Sequence, residues 1–449
     1  MKNIIRIGNG QGFWGDSIDA PVNLVKDGPL DYLTLDYLAE VTLSIMQRQK
    51  LKNPNAGYAR DFIDLVGRIL PEIQNDGLKV ITNAGGVNPN SCRDELLKLS
   101  KSTGNPIKIG VIQGDDIFPT LANLRKQGVA FENMDTGDSF DSIVNKVYSV
   151  NVYINSSTIA EALHKGAQIV LAGRVSDPGL ALGPCIYEFG WKEKDYDLLA
   201  AGTLAGHITE CGAQCTGGNY SNWQDVPNLA DVGYPIIEMQ PNGEFCITKH
   251  KNTGGLVNRE TIGEQVLYEM GDPNHYISPD VCVDFTSFKL NDLGHNKVAI
   301  TNVAGLIPTD TYKVSISYFA GYKASGQLTI SGPNAYEKAQ LTAEIIWKRL
   351  KNSGVSFDDT STEYLGLSSC HGEINSIPSQ INEVVLRLGV KDANKDNVNR
   401  FGKEIAPVIT SGPPGITGFS GGRPKAQEIV AYWPALIPKE LVHTTVDVI

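Results

Sequence analysis

The chain has no apolar run of 18 residues, the length a helix needs to cross a bilayer. Its opening segment, Met1-Lys2-Asn3-Ile4-Ile5-Arg6-Ile7, is too short an apolar run for a secretory signal. Basic residues are not in excess: 39 Lys and Arg face 50 Asp and Glu, a net charge of −11. Nonspecific nucleic-acid binding draws on a basic surface that displaces counterions, so that class is disfavoured. Anionic ligands stay open, because a local Arg or Lys counts for more than the total charge. Cysteine is scarce and odd in number, seven residues scattered from Cys92 to Cys370. No disulfide framework is suggested, and a reducing, cytoplasmic setting is expected. No H-E-x-x-H pair occurs, which argues against the common zinc-protease arrangement. No internal repeat or low-complexity tract stands out.

What is present is a recurring strand-end signature. Six short apolar runs in the first half each stop at a polar or glycine-rich turn. Residues 4–7 lead into Gly8-Asn9-Gly10-Gln11-Gly12, residues 32–35 into Asp36, and residues 79–82 into Asn83-Ala84-Gly85-Gly86. Residues 107–112 lead into Gln113-Gly114-Asp115-Asp116, 168–171 into Ala172-Gly173-Arg174, and 204–208 into Thr209-Glu210-Cys211-Gly212. Amphipathic segments at 36–50, 57–74, 90–101, 117–126 and 158–165 lie between these runs, so βαβ units and an α/β class are expected. Open α/β sheets gather ligands at the carboxyl ends of their strands. Residues 1–285 are therefore expected to form a mostly parallel sheet with helices on both faces, carrying one site. A helix at 259–270 has Asn258 or Thr261 as its cap. Residues 286–449 change style and are expected to form an α+β, split βαβ-like domain. There, 312–319 and 325–331 read as a hairpin about Gly321, followed by a helix at 336–351 and strands at 363–367, 383–390 and 426–437.

Each strand-end turn has a chemical and a plain reading. Gly10-Gln11-Gly12-Phe13-Trp14-Gly15 matches the dinucleotide pattern, with Asp31 and Asp36 at about the distance of a ribose-binding acid. Bulky Phe13 and Trp14, then Asp16, Asp19 and Pro21, postpone the helix that should hold pyrophosphate. A tight loop using Asn9, Gly10, Gln11 and Asp16 on another ligand, or a structural turn, fits better. Asn83, Gly85, Gly86 and Asn88 suit a carboxylate or other anion, or form an ordinary turn. Gln113 precedes the paired Asp115 and Asp116, which read as an acid–base pair or a divalent-metal site. Their plain reading is Asp116 as a helix cap beside a solvated Asp115. Arg174 at a strand mouth suits bidentate carboxylate or phosphate binding, with Asp177 as its orienter, a base, or its ion-pair partner. His207, Glu210 and Cys211 could supply acid, base or nucleophile, with Gln214 and Asn219 following. Structural zinc is disfavoured, because Cys211 and Cys215 lack a second ligand pair. The loop 411–424 carries Arg423 among glycines and prolines and reads as a lid, an arm to a neighbouring subunit, or plain irregularity.

Several of these segments, taken in order, resemble the acyclic terpene utilisation family. They are residues 5–17 around Gly10-Gln11-Gly12-Phe13-Trp14-Gly15-Asp16, residues 28–40, Leu171-Ala172-Gly173-Arg174-Val175-Ser176-Asp177-Pro178, Glu210-Cys211-Gly212-Ala213-Gln214 and Ser411-Gly412-Pro413-Pro414-Gly415. The resemblance covers essentially the whole chain. It implies a place in the breakdown of citronellol- or geraniol-type compounds, whose later steps run through branched acyl-CoA esters. Some members carry, or are encoded beside, a small extra domain; a C-terminal fusion is not expected here. The expectation is a homo-oligomeric catabolic enzyme acting on a branched carboxylate or its CoA thioester by hydration, isomerisation or C–C cleavage. Asp36, Glu40, Asp116 and Glu210 form its acid–base pool, Cys211 is the candidate nucleophile, and Arg174 holds the anion. Arg174→Ala is expected to weaken binding and leave the fold intact. No cofactor is implied firmly; a divalent metal or CoA is compatible. The alternatives are an NAD(P)-dependent oxidoreductase and a non-catalytic subunit working with a small partner protein.

Overall fold

The computed structural model describes residues 2–102, 104, 106–367, 369–374, 380–418 and 421–449, with the side chains of Glu40, Ser102 and Glu373 excepted. Two compact units emerge, Met1–Ser317 with Tyr432–Ile449, and Tyr318–Ala431. The position near 285, where the sequence changes style, lies inside the first. No helix among the described residues is long and apolar enough to cross a membrane.

The first unit is built on a mixed sheet. Its centre is parallel: β1 (Ile5–Gln11), β2 (Tyr32–Leu35), β3 (Lys79–Thr82), β4 (Ile109–Gln113) and β6 (Ile169–Leu171) stand in the order β1-β2-β3-β6-β4. β5 (Val147–Val152) pairs outside this sheet. β7 (Ile236–Met239) joins β1 antiparallel and β8 (Phe245–Thr248) joins β7. A small sheet pairs β9 (Tyr276–Ile277) with β10 (Cys282–Asp284). β11 (Lys289–Asp292) and β12 (Lys297–Thr301) extend the large sheet beyond β8, while β13 (Ala304–Leu306) completes the small one. The parallel core is thus shorter than a mostly parallel sheet, because hairpins 236–248 and 289–301 add antiparallel strands to its β1 edge.

Alternation across the strands sets the two faces. Leu33, Leu35, Val80, Ile109 and Val111 bury into one cluster with Val22 of α1 (Ala20–Lys26), Phe62, Val66 and Ile69 of α3 (Asp61–Asn75) and Leu96 of α4 (Pro89–Ser102). α2 (Glu40–Lys52) contributes Leu43 and Met46. α5 (Leu121–Lys126) and α6 (Ser157–His164) follow β4 and β5 in the chain. Tyr32, next to inward Leu33, turns to the opposite face, where its hydroxyl donates to Glu188 of α7 (Gly179–Phe189) at 2.6 Å. A Cβ on Gly110 would point at Ala162 of α6 on that same side.

One expected strand is a helix. Residues 204–208 form the end of α8 (Tyr196–Thr209), buried on every side. A short apolar run cannot distinguish a strand from a wholly buried helix. Close packing decides it: a Cβ on Gly206 would lie 2.4 Å from Pro178 O, and one on Gly202 2.5 Å from Leu182. α9 (Arg259–Leu267) begins as expected at Asn258, whose side chain accepts from Thr261 N at 2.8 Å while Thr261 Oγ1 accepts from Asn258 N at 3.1 Å. It ends at Leu267 rather than near Gly271. Asn258→Ala is expected to cost about 1 kcal/mol, read as a lower urea midpoint with an unchanged slope.

In the second unit the expected hairpin about Gly321 is one long strand, β14 (Thr311–Ser331), which begins in the first unit. Gly321 has φ +100, a conformation that glycine allows, and the strand continues through it without a turn. α10 (Ala335–Asn352), β15 (Asp359–Leu365), β16 (Glu383–Asp392), α11 (Lys395–Ile405), β17 (Ile416–Gly418) and β18 (Gln427–Pro438) follow. The sheet order is β15-β16-β14-β17. Leu328, Leu386, Leu388, Ile346 and Phe401 form this unit's apolar core. β19 (Thr445–Val448) returns to pair antiparallel with β4.

Candidate functional site

The carboxyl ends of β2, β3 and β6 converge on a chain of buried polar groups. Asn83, just past β3, accepts from Tyr37 N and donates to Asp36 Oδ1, both at 2.7 Å. Asp36 Oδ1 also accepts from Leu38 N at 3.0 Å. The Leu38 carbonyl in turn accepts from Arg174 Nη1 at 2.5 Å. Arg174 is 1% exposed. Its fork is occupied by Asp177, Nη2 donating to Oδ2 at 3.0 Å with Nη1 2.8 Å from Oδ1. Its flat face lies 4.1 Å from the Tyr153 ring centroid, a cation–π contact. Burial holds the Asp36 carboxyl well above the usual range; the Asp177 charge adds to this and Arg174 opposes it.

Asp115 anchors the backbone of the same loop. Its Oδ2 accepts from Arg174 N at 2.7 Å and from Asn151 Nδ2 at 3.0 Å. A Cβ on Gly173 would lie 2.3 Å from this carboxylate, so only glycine fits there. Asp115 is 4% exposed, and burial pushes its pKa to about 6. The plain reading of this acid pair is thereby half reversed. Asp116 is exposed and accepts from Phe118 N at 3.1 Å, while Asp115 is buried instead of solvated.

A second group sits at the end of α8. His207 Nδ1 lies 3.3 Å from Glu210 Oε1, at an ion-pair distance but outside hydrogen-bond alignment. The imidazole packs against the rings of Tyr276 and Phe285, with centroids 5.1 and 5.3 Å away. Burial works against its charged form, yet Glu210 outweighs that and raises its pKa. Burial pushes Glu210 to about 7 against the pull of His207, and the charges of Asp177 and Glu269 add to the rise. Among the described residues, Glu210 Oε2 has no hydrogen-bond partner. Burial, then Glu210, pushes Cys211 up to about 12, so it is a thiol at neutral pH and a weak nucleophile.

A cavity of about 240 Å³ opens beside these groups. Tyr153, Arg174, Asp177, Glu269, Tyr276 and Lys313 line it. It therefore offers two cations, two carboxylates and aromatic walls, a mixture suited to a small acid or the head of a longer one. Glu269 holds φ +56, an uncommon conformation for glutamate. The sequence candidates did not include Tyr153, Glu269, Tyr276 or Lys313. No local motif marks them; Glu269 and Tyr276 come from the region of α9 and β9, and Lys313 is one exposed position in an alternating strand.

Of the expected site residues, Asp36, Asn83, Arg174, Asp177, Glu210 and Cys211 form this electrostatically connected group. Asn9 Nδ2 instead donates to Thr209 O at 2.7 Å, and Gln11 Nε2 to Phe13 O at 3.0 Å. Asp16 accepts from Gly12 N and Ser17 N at 3.0 and 2.7 Å, tying the glycine loop to itself. Gly10 packs against Pro21, Gly85 against Pro89 and Gly86 against Met46. Asn88 Nδ2 donates to Pro54 O and Ala56 O, both at 2.8 Å. Gln113 ends β4 opposite Thr445. Gln214 and Asn219 line a separate hollow of about 350 Å³. Arg423 is exposed in the second unit. Glu40 begins α2, and its side chain lies outside the described residues. Among the described residues no three His, Cys, Asp or Glu side chains are grouped to hold a metal ion.

No curated protein and no solved structure matches the chain. One family does, described as acyclic terpene utilisation family protein AtuA, over residues 5–448. With nearly its whole length matched, the chain belongs to the acyclic terpene utilisation family.

Proposed function

We propose that the protein is a catabolic enzyme of acyclic terpene utilisation that moves a proton on a branched carboxylate or its thioester. One observation carries this reading: Glu210, poised at about 7 with Oε2 unpartnered, feels the charges of Asp177 and Glu269, two carboxylates that line the cavity beside Arg174. A group with a pKa near the working pH both gives and takes protons efficiently. Arg174, held flat on Tyr153, presents a preorganised fork, and a substrate carboxylate competes with Asp177 for it. Lys313 adds a second cation to the same wall. Glu210 then exchanges the proton beside the carbonyl, with His207 supporting its charged state. The Leu38 carbonyl, on a backbone turn that Asp36 fixes through Leu38 N, holds the guanidinium in place. Hydration, isomerisation and C–C cleavage all share this proton step.

A thermal-shift panel of branched and polycarboxylic acids, acyl-CoAs, NAD(P)(H) and divalent metals tests the proposal. An acid or thioester at 100 times its Kd is expected to stabilise the protein by about 2.7 kcal/mol. A response to NADH or NADPH alone would replace this reading with oxidoreduction. A blank panel would shift it to a subunit that needs a small partner protein.

A further inference from the structure

The second unit carries a charged hollow that the acid–base site does not use. Register places Lys323 of β14 directly opposite Lys391 of β16, and Lys391 opposite Asp359 of β15. Both lysines are exposed. Like charges set directly across two strands destabilise a sheet, and this pair occurs in a chain of net charge −11. Two residues along the same face, register aligns Ser325, Gly389 and Ser361. A Cβ on Gly389 would lie 2.5 Å from Ser361 Oγ, so this row stays a low floor edged by two hydroxyls. Ala324, Leu388 and Val390, the alternate residues, are buried in the apolar core, which pins the register and keeps the lysines on the solvent face. The segment Gly421-Gly422-Arg423-Pro424-Lys425 borders the same hollow, whose volume is about 770 Å³. Lys323, Lys391, Arg423 and Lys425 thus surround it against the single carboxylate of Asp359. Among the described residues none of these four cations is in an ion pair.

We propose that this hollow binds a small molecule carrying two or more phosphate groups. One carboxylate would need one cation; four cations spread over a ligand-sized hollow match an anion whose charge is also spread. Arg423 offers a fork for two phosphate oxygens, and the lysines act as point charges. Ser325 and Ser361 supply neutral donors from the floor. The ligand neutralises the Lys323–Lys391 repulsion, so binding relieves a cost that the free sheet carries.

Titration calorimetry of the full chain at low ionic strength, with inorganic pyrophosphate and with ADP, tests this. Both are expected to bind, with affinity falling as salt is raised. Equal affinities mean that phosphates alone are read; tighter ADP binding means that the nucleoside also rests in the hollow. The double variant Lys323→Gln/Lys391→Gln should raise both Kd values at least tenfold, without lowering the melting temperature. Lys348→Gln/Lys351→Gln, an equal charge loss at exposed positions on α10, should leave them within twofold. Absence of heat with either probe at millimolar concentration overturns the proposal. So does equal weakening by the two double variants, which would reduce the effect to bulk charge.

Discussion

Arg174→Met is expected to lower folding stability by about 3 kcal/mol and to abolish stabilisation by carboxylic acids. Breaking a buried ion pair costs about 3–5 kcal/mol because the remaining charge is left uncompensated. The low end applies here, since the Asp177 side chain keeps 34% exposure. The substitution also removes the donor to Leu38 O and the cation over Tyr153, and it deletes the positive charge that opposes the rise of Asp36. The cost to the fold departs from what the sequence alone suggests for this residue, because the guanidinium is as buried as a core side chain. Urea unfolding measures the loss, and Arg174→Lys should recover part of it by restoring charge without the fork. Full stability in Arg174→Met, with acids still bound, would remove Arg174 from both roles.

Glu210→Gln is expected to cut turnover of any accepted acid or thioester by about 10²–10⁴-fold, the usual contribution of a positioned general acid or base. Its effect on stability has a sign that geometry alone does not supply. Burial raises Glu210 from 4.5 to about 7. A carboxyl raised in this way favours the folded state fully below pH 4.5, and that contribution is lost as pH rises through 7. Gln cannot ionise. The variant should therefore gain on the parent protein between pH 4.5 and above 7, by roughly 3 kcal/mol at 1.36 kcal/mol per pKa unit. Melting curves of both proteins across that range read the trend. A pH-independent difference would mean Glu210 is not held protonated, and unchanged turnover would mean it does not move the proton.

The two sites differ in how they can fail. The acid–base reading depends on residues of the first unit, and the phosphate proposal on residues of the second. Loss of pyrophosphate binding in Lys323→Gln/Lys391→Gln with intact acid binding separates them, as does the reverse pattern in Arg174→Met.

Strands 32–35 and 79–82 were legible residue for residue, because a four-residue run with an apolar or β-branched centre closed by a polar turn reads as a buried strand. The α3 helix was legible as the amphipathic segment 57–74, although it begins four residues later and ends one later, at Asp61 and Asn75. The strand-end location of Asp36, Asn83 and Arg174 followed from the same patterns, and the family from the order of the motifs. Periodicity is local, however, and burial is not. Only packing against Pro178 and Leu182 made 204–208 helical, and only the tertiary fold buried Asp115 while leaving its neighbour Asp116 in water. The register of β14 with β16 turned Lys323 and Lys391 from two surface charges into one hollow. Glu269, Tyr276 and Lys313 join Arg174 at one cavity although they lie far along the chain from it, a convergence that no window of sequence contains. The chain by itself determined its family and most of its elements; the tertiary structure decided the ambiguous ones and which polar groups share a low-dielectric space, and so which of them can do chemistry.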